Sequence, residues 1–191
     1  MPETRMRPQK ISRDELLRRC ANTFKRYGYH GTSMDMLASA CELTKASFYH
    51  HYPNKEALAR DVLQRTHAIV NDTLFAIAYD SSQTPAERLA RMNAKARKLF
   101  MEDSIGCLMG VITVDASYAV PELMPPIRQF IDDWVAALAH LLGERLPEND
   151  ARQLAQQTVA DFEGAILLSR IYGNGECFER VCGRVAGYLT G

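Results

Sequence analysis

The chain has 191 residues, 47% of them hydrophobic, enough to bury a core in one domain or in a small domain and a larger one. No apolar run approaches the roughly 20 residues that span a bilayer, and the opening MPETRMRPQK has charge but no apolar segment, so neither a membrane span nor a secretory signal is expected. Lys/Arg and Asp/Glu are equal at 23 each, which alone argues against a polyanionic partner.

The distribution of charge argues the other way. Residues 1–60 hold eleven Lys/Arg against six Asp/Glu, a balance of +5, and the remainder holds twelve against seventeen, a balance of −5. A basic first third on an acidic remainder fits a chain of which one part meets a polyanion. The five cysteines (Cys20, Cys41, Cys107, Cys177 and Cys182) are odd in number and scattered, as expected of reduced thiols in a cytoplasmic protein.

In chain order, nearly every segment reads as helix. Ser12-Arg13-Asp14-Glu15 is a capping box, followed at helical spacing by Leu16, Leu17, Cys20, Ala21, Phe24 and Tyr27; Gly28 ends that helix. Ser33 caps a short second helix carrying Met34, Met36, Leu37 and Cys41. Thr44 caps a third that must stop before Pro53, and Asn54 starts a long fourth with Leu58, Val62, Ile69, Leu74 and Ile77 as buried candidates. Thr84-Pro85-Ala86-Glu87 combines a second capping box with proline at the first helical position, predicting a fifth helix to about residue 102. A sixth is expected over 104–118, a seventh from the prolines at 121, 125 and 126 to near Gly143, an eighth over 150–171 and a ninth over 176–189. No stretch alternates with period two. The expected fold is all-α, with three short helices followed by about six longer ones.

The second and third helices are each about two turns long and joined tightly around 41–44, the geometry of a helix-turn-helix, whose second helix enters the major groove. On a helix from Lys45, Phe48 and Tyr52 share the inward face, and Lys45, Ser47, Tyr49 and His50 fall elsewhere. Ammonium, hydroxyl and imidazole groups are what bond phosphate oxygens and base edges. Asn54-Lys55 offers backbone N–H groups and an ammonium at a helix start, suited to one phosphate. A metal role for His50-His51 is disfavoured, because neighbours on a helix point about 100° apart and no carboxylate or cysteine completes a site at i+4. Plain solvation of the two histidines is the other alternative.

Residues 11–58 resemble the DNA-binding domain of the TetR family of one-component transcriptional repressors. GYHGTSMDMLASAC (28–41) and LTKASFYHHYPNKEAL (43–58) carry the likeness; beyond them GCL (106–108) and EGAILLSR (163–170) match only weakly. The resemblance implies an N-terminal domain over 1–54 and a helical ligand-binding and dimerisation domain over 55–191. It also implies a homodimer on a palindromic double-stranded operator, released by a small effector. It places Thr32, Tyr49, His51 and Lys55 at phosphates, and Lys45, Ala46, Ser47 and His50 where sequence is read, with Thr44 at the start of the reading helix. One departure is Cys41-Glu42, where the family usually has Ala-Gly; positive φ at a non-glycine costs of order 1 kcal/mol, and a carboxylate sits awkwardly near DNA.

For the effector, Met92, Phe100, Met109, Ile112, Tyr118, Phe130, Trp134 and Phe162 are apolar candidates for a pocket, though the same spacing is what a plain core requires. His67, Asn93 and Asp115 are polar candidates for orienting a largely apolar ligand. Cys107 is either a thiol sensor at the start of the sixth helix or a small buried side chain; nothing adjacent is basic, which favours the second. For the dimer, the eighth helix offers Leu154, Thr158, Phe162, Ala165 and Ser169, and the ninth Phe178, Val181, Cys182, Val185 and Leu189, a stripe that could equally face its own core. Residues 60–191 show no nucleophile–base–acid constellation and no metal-spaced cluster, so no enzyme activity, cofactor or metal is expected. A DNA-binding regulator without a small-molecule ligand is the remaining alternative.

Overall fold

Ser12, Ser33, Thr44 and Asn54 each accept a hydrogen bond from the backbone N–H three residues on, satisfying a donor that the first helical turn leaves without a partner. In the computed structural model, which describes residues 11–102 and 104–190, these four caps open α1 (Arg13–Tyr27), α2 (Met34–Ala40), α3 (Lys45–His51) and α4 (Lys55–Thr73). The charged opening stretch read above lies outside the described residues. Only half of the first capping box forms: Glu15 turns its carboxylate to Arg18 and Arg19 instead of back to Ser12. Gly28, at φ 76°, closes α1 by donating its N–H to Phe24 O at 2.8 Å.

The second box forms completely: Thr84 and Glu87 exchange bonds at the start of α5 (Pro85–Met101). Then follow α6 (Leu108–Ala116), a 3-10 turn at Pro121–Leu123, α7 (Met124–Leu142), α8 (Glu148–Tyr172) and α9 (Glu176–Thr190). Pro125 and Pro126 stand in the first turn of α7, where the N–H they lack would have no helical partner. Among the described residues there are nine α-helices and no strand, the all-α fold expected.

Two boundaries differ from expectation. The fourth helix stops at Thr73, whose hydroxyl donates to Ile69 O at 2.6 Å, and the chain continues as a 3-10 turn, Phe75–Tyr79. That tighter winding turns Phe75, Ile77 and Ala78 inward, while Ile69 is left 44% exposed on the outer face of α4. The sixth helix is shorter than 104–118, because Gly106 at φ 155° ties its N–H to Phe100 O and turns the chain sharply before Leu108. Tyr27, expected in the buried stripe of α1, is half exposed beside the Arg26 guanidinium.

The interior of the larger part is built from rings. Trp134 of α7 lies between Phe100 and Phe162, with centroids at 5.4 and 5.7 Å, and also meets Phe75 and Phe130; Phe178 of α9 closes the chain against Phe162 at 5.2 Å. All six rings are at most 3% exposed. Offset and edge-to-face pairs at such distances each add about 0.5–1.5 kcal/mol beyond their area. The rings come from the 3-10 turn after α4 and from α5, α7, α8 and α9, so the cluster ties these elements together. The buried apolar residues run without interruption from Leu16 to Leu189.

Candidate nucleic-acid interface

The smallest helices carry the most exposed chemistry. α3 has seven residues, too short to be stable in isolation, and it is fixed by Phe48, which is fully buried, and by Tyr52, whose hydroxyl donates to Asp61 at 2.8 Å. With those two pointing in, Lys45, Ala46, Tyr49, His50 and His51 are exposed and Ser47 half-buried. The Thr44 oxygen accepts from the Ser47 N–H, so the helix start is capped and its remaining N–H donors face out. Lys45 pairs with Asp35 of α2 at 2.9 Å, both side chains being 63% exposed, an ion pair weak enough to be exchanged for a phosphate.

Two of the expected phosphate contacts take another form. Thr32 is 1% exposed and donates its hydroxyl inward to Gly28 O at 2.6 Å, so its side chain is not available to a phosphate. The Lys55 ammonium donates to Tyr29 O at 2.8 Å and Thr32 O at 2.9 Å and lies 4.3 Å from the centre of the Tyr29 ring; burial lowers its pKa. The pair secures the 28–32 loop between α1 and α2, a long-range contact that no periodicity predicts. Asp115, considered above for a ligand, accepts from the His30 N–H at 2.6 Å and holds the same loop from α6.

The turn between α2 and α3 carries the departure noted in the sequence. Glu42 has φ 57°, the only positive φ at a non-glycine among the described residues. Its carboxylate is drawn onto Arg19 of α1 at 2.7 Å, and Arg19 also bonds Ala40 O and Glu15. The unfavourable charge is thus partly neutralised.

The short α2 and α3, joined by a tight turn and presenting a polar face beyond a buried anchor, form a helix-turn-helix. Residues 16–62 match the family model of bacterial regulatory proteins of the tetR family, and residues 85–183 match that of the transcriptional regulator LmrA/YxaF-like C-terminal domain. This chain belongs to the TetR family. The HTH-type transcriptional repressor DhaR of Mycobacterium sp. (strain GP1) is 29% identical over 170 residues, covering 86% of this chain and 85% of DhaR. The HTH-type transcriptional repressor NemR of Escherichia coli (strain K12) is 25% identical over 173 residues, covering 85% and 86%. In fold, a TetR transcriptional regulator from Legionella pneumophila superimposes with a TM-score of 0.85 at 22% identity, over 95% of this chain and all of that one. The protein is therefore a TetR-type transcriptional regulator with a helix-turn-helix for DNA.

In this TetR-family fold the expected effector chamber is filled on its α8 side and open only in part. Met92, Phe100, Met109, Ile112, Phe130, Trp134 and Phe162 are all buried, and the space beside Met92, Asn93, Trp134 and Phe162 is about 10 Å³, too small for an effector. Tyr118 is a correction: it is wholly exposed just past α6, outside the buried residues of the expected chamber. His67 bonds Asp133 at 2.7 Å at the rim of the ring cluster. A separate cavity of about 90 Å³ is lined by Phe100, Cys107, Met109 and Phe130 together with Lys25 and Val70. On the far side of Gly106 and Cys107, an apolar groove of about 500 Å³ opens between α6 and α8. Cys107 is buried, in contact with the Glu163 carboxyl; burial pushes its thiol well up, and burial also raises Glu163.

The residues expected at a subunit interface are corrected too. Thr158, Phe162, Ala165, Ser169, Phe178, Val181, Cys182, Val185 and Leu189 are at most 7% exposed within a single chain, and Leu154 is half-buried. They form the inner faces of α8 and α9. The outward apolar residues are others: Leu167, Leu168, Ile171 and Tyr172 on α8 and Tyr188 on α9, with Val114 opposite on α6.

Proposed function

We propose that this regulator binds a roughly palindromic operator as a homodimer and is released from it by a small, largely apolar effector. The observation that carries the reading is the outward face of α3, where a lysine, a tyrosine and two histidines stand clear of the helix's two buried anchors. Residues 1–54 act as the DNA-binding unit and residues 55–191 as the sensing and dimerising unit. Lys45, Ala46, Ser47 and His50 read base edges, Tyr49 and His51 grip phosphates, and Thr44 orders the helix start. Lys55 acts mainly by holding the 28–32 loop, with its third N–H left for a phosphate.

Two of the side chains that link the units come from α6 and α8. Asp115 of α6 holds the His30 N–H, and Arg170 of α8 donates to Lys25 O and Arg26 O at the end of α1. Both helices border the groove beside Gly106 and Cys107, so an effector that parts them moves the DNA-binding unit through these contacts. A response through the Cys107 thiol is the second reading, favoured by its position in the wall of both spaces.

The test uses a duplex enriched by the protein from a random pool. Tyr49→Phe and His51→Ala weaken binding to enriched and random duplexes alike, whereas Lys45→Ala chiefly relaxes the preference at one base step. Wild-type affinity in all three variants would sink the assignment of α3.

A further inference from the structure

Cys20 of α1 and Cys41, the residue closing α2, have their sulfurs 3.7 Å apart, and both side chains are buried, at 0% and 2% exposure. Among the described residues no other two cysteines touch: Cys107 and Cys182 are buried apart, and Cys177 meets Arg180. The pair joins the helix that anchors the DNA-binding unit to the turn that aims α3. We propose that Cys20 and Cys41 are a peroxide-oxidised dithiol whose disulfide tilts the turn before α3 and releases DNA. The regulatory half of this rests on the reading of α3 given above; the formation of the bond does not.

The chemistry closes with a hydroperoxide as oxidant. The Cys41 sulfur attacks the outer peroxide oxygen, the O–O bond breaks, and the departing alkoxide or hydroxide takes a proton, leaving Cys41 as a sulfenic acid. The Cys20 sulfur then attacks Cys41, the S–O bond breaks, and water leaves with the Cys20 proton. In sum, two thiols and one hydroperoxide give a disulfide, one water and the protonated leaving group, an alcohol from an organic hydroperoxide or a second water from hydrogen peroxide. Asymmetry favours this order: the hydrogen bond from Cys20, with the Arg19 charge nearby, lowers the Cys41 thiol, while the same contact raises Cys20.

The place suits a switch. A disulfide shortens the 3.7 Å separation to about 2.05 Å, and the turn must follow, because Cys41 is followed at once by Glu42, Leu43 and the cap of α3. That turn holds the left-handed Glu42 next to Cys41, and its opening is the route by which a small peroxide would reach the buried pair.

The experiment treats the reduced full-length protein with hydrogen peroxide, blocks remaining thiols by alkylation, and maps peptides without reduction. The expected result is one crosslink, Cys20 to Cys41, reversed by dithiothreitol. In parallel, affinity for the enriched duplex falls about tenfold or more on oxidation and returns on reduction, while Cys41→Ser and Cys20→Ala bind the duplex when reduced and ignore peroxide. Absence of that crosslink overturns the proposal. A crosslink with unchanged duplex affinity overturns its regulatory half, and peroxide sensitivity persisting in both variants assigns the response to another cysteine. A reduced protein that enriches no duplex counts against the reading of α3 instead, and the peptide map still decides the dithiol.

Discussion

Glu42 shows how one residue can satisfy the fold while violating its own preference. Left-handed backbone costs a non-glycine about 1–2 kcal/mol, and the exposed, solvent-screened ion pair with Arg19 offsets little of it. Asparagine tolerates this conformation and a β-branched residue does not. Urea unfolding of Glu42→Asn is therefore expected to show equal or slightly higher stability, and Glu42→Val a loss of about 2 kcal/mol. Equal stability of the two variants would show that the turn relaxes and stores no strain. Lys55 makes the complementary point. Its place at the start of a capped helix is legible in the sequence, and its phosphate role was inferred from that. Its two bonds to Tyr29 O and Thr32 O depend on a loop more than twenty residues away, which no local pattern encodes. Removing a charged donor shared by two part-buried carbonyls costs about 1.5–3 kcal/mol. Lys55→Met is expected to cost about that much, read by the same unfolding.

Among the elements, starts were easier to read than ends, for a physical reason. A helix start is written in one capping residue, and Ser12, Ser33, Thr44, Asn54 and Thr84 all cap as their sequence suggests. Ends depend on what the next segment packs against: α4 gives way to a 3-10 turn in which Phe75 joins the ring cluster. A start without a capping side chain is no easier to read, and α6, which has none, begins at Leu108, after the bend at Gly106 and later than expected. α8 illustrates a further limit. Its spacing reveals that Thr158, Phe162, Ala165 and Ser169 share a face, but not whether that face meets its own chain or a copy. Glu163, on the same helix, has a measurable consequence. Burial raises its pKa in the folded state, so the folded chain holds its proton more tightly than the unfolded chain does. Its contribution to stability is then most favourable below the ordinary carboxylate pKa and declines as pH rises from there through the raised value. Glu163→Gln removes that dependence. Unfolding free energies at pH 5 and pH 8 should differ less in the variant than in the wild type, and a parallel pair of curves would show that Glu163 titrates normally.

At the scale of the molecule, the ring cluster and the outer surface divide the work. The six rings leave no room for a ligand in the centre, so response to an effector requires either repacking around Trp134 or occupation of the spaces on the two sides of Gly106–Cys107. The sequence could nominate aromatic and methionine residues but not tell a lined chamber from a filled one, since both present the same periodicity. The outer surface is informative because it breaks the usual rule for a single chain. Val114, Leu167, Ile171 and Tyr172 are 89%, 59%, 65% and 66% exposed, and the first two line the 500 Å³ groove between α6 and α8. Gly164, one turn from Leu167 and Leu168, has nothing within 4 Å of where a side chain would begin, leaving space for another helix to approach closely. An apolar strip of this kind, with Tyr188 also exposed on α9, fits an isologous contact in which α8 and α9 of one copy meet those of the other. A carboxylate at its centre must be desolvated on assembly, which costs more than the apolar contact it replaces. Leu167→Asp with Ile171→Asp is therefore expected to sediment as a single chain at concentrations where the wild type sediments as two. Helicity by circular dichroism should stay unchanged, since both residues are outward in the isolated chain. Duplex affinity should fall with the loss of paired half-sites. A variant that still sediments as two chains would move the interface elsewhere on the surface, and a wild type that sediments as one would remove the strip's stated occupant.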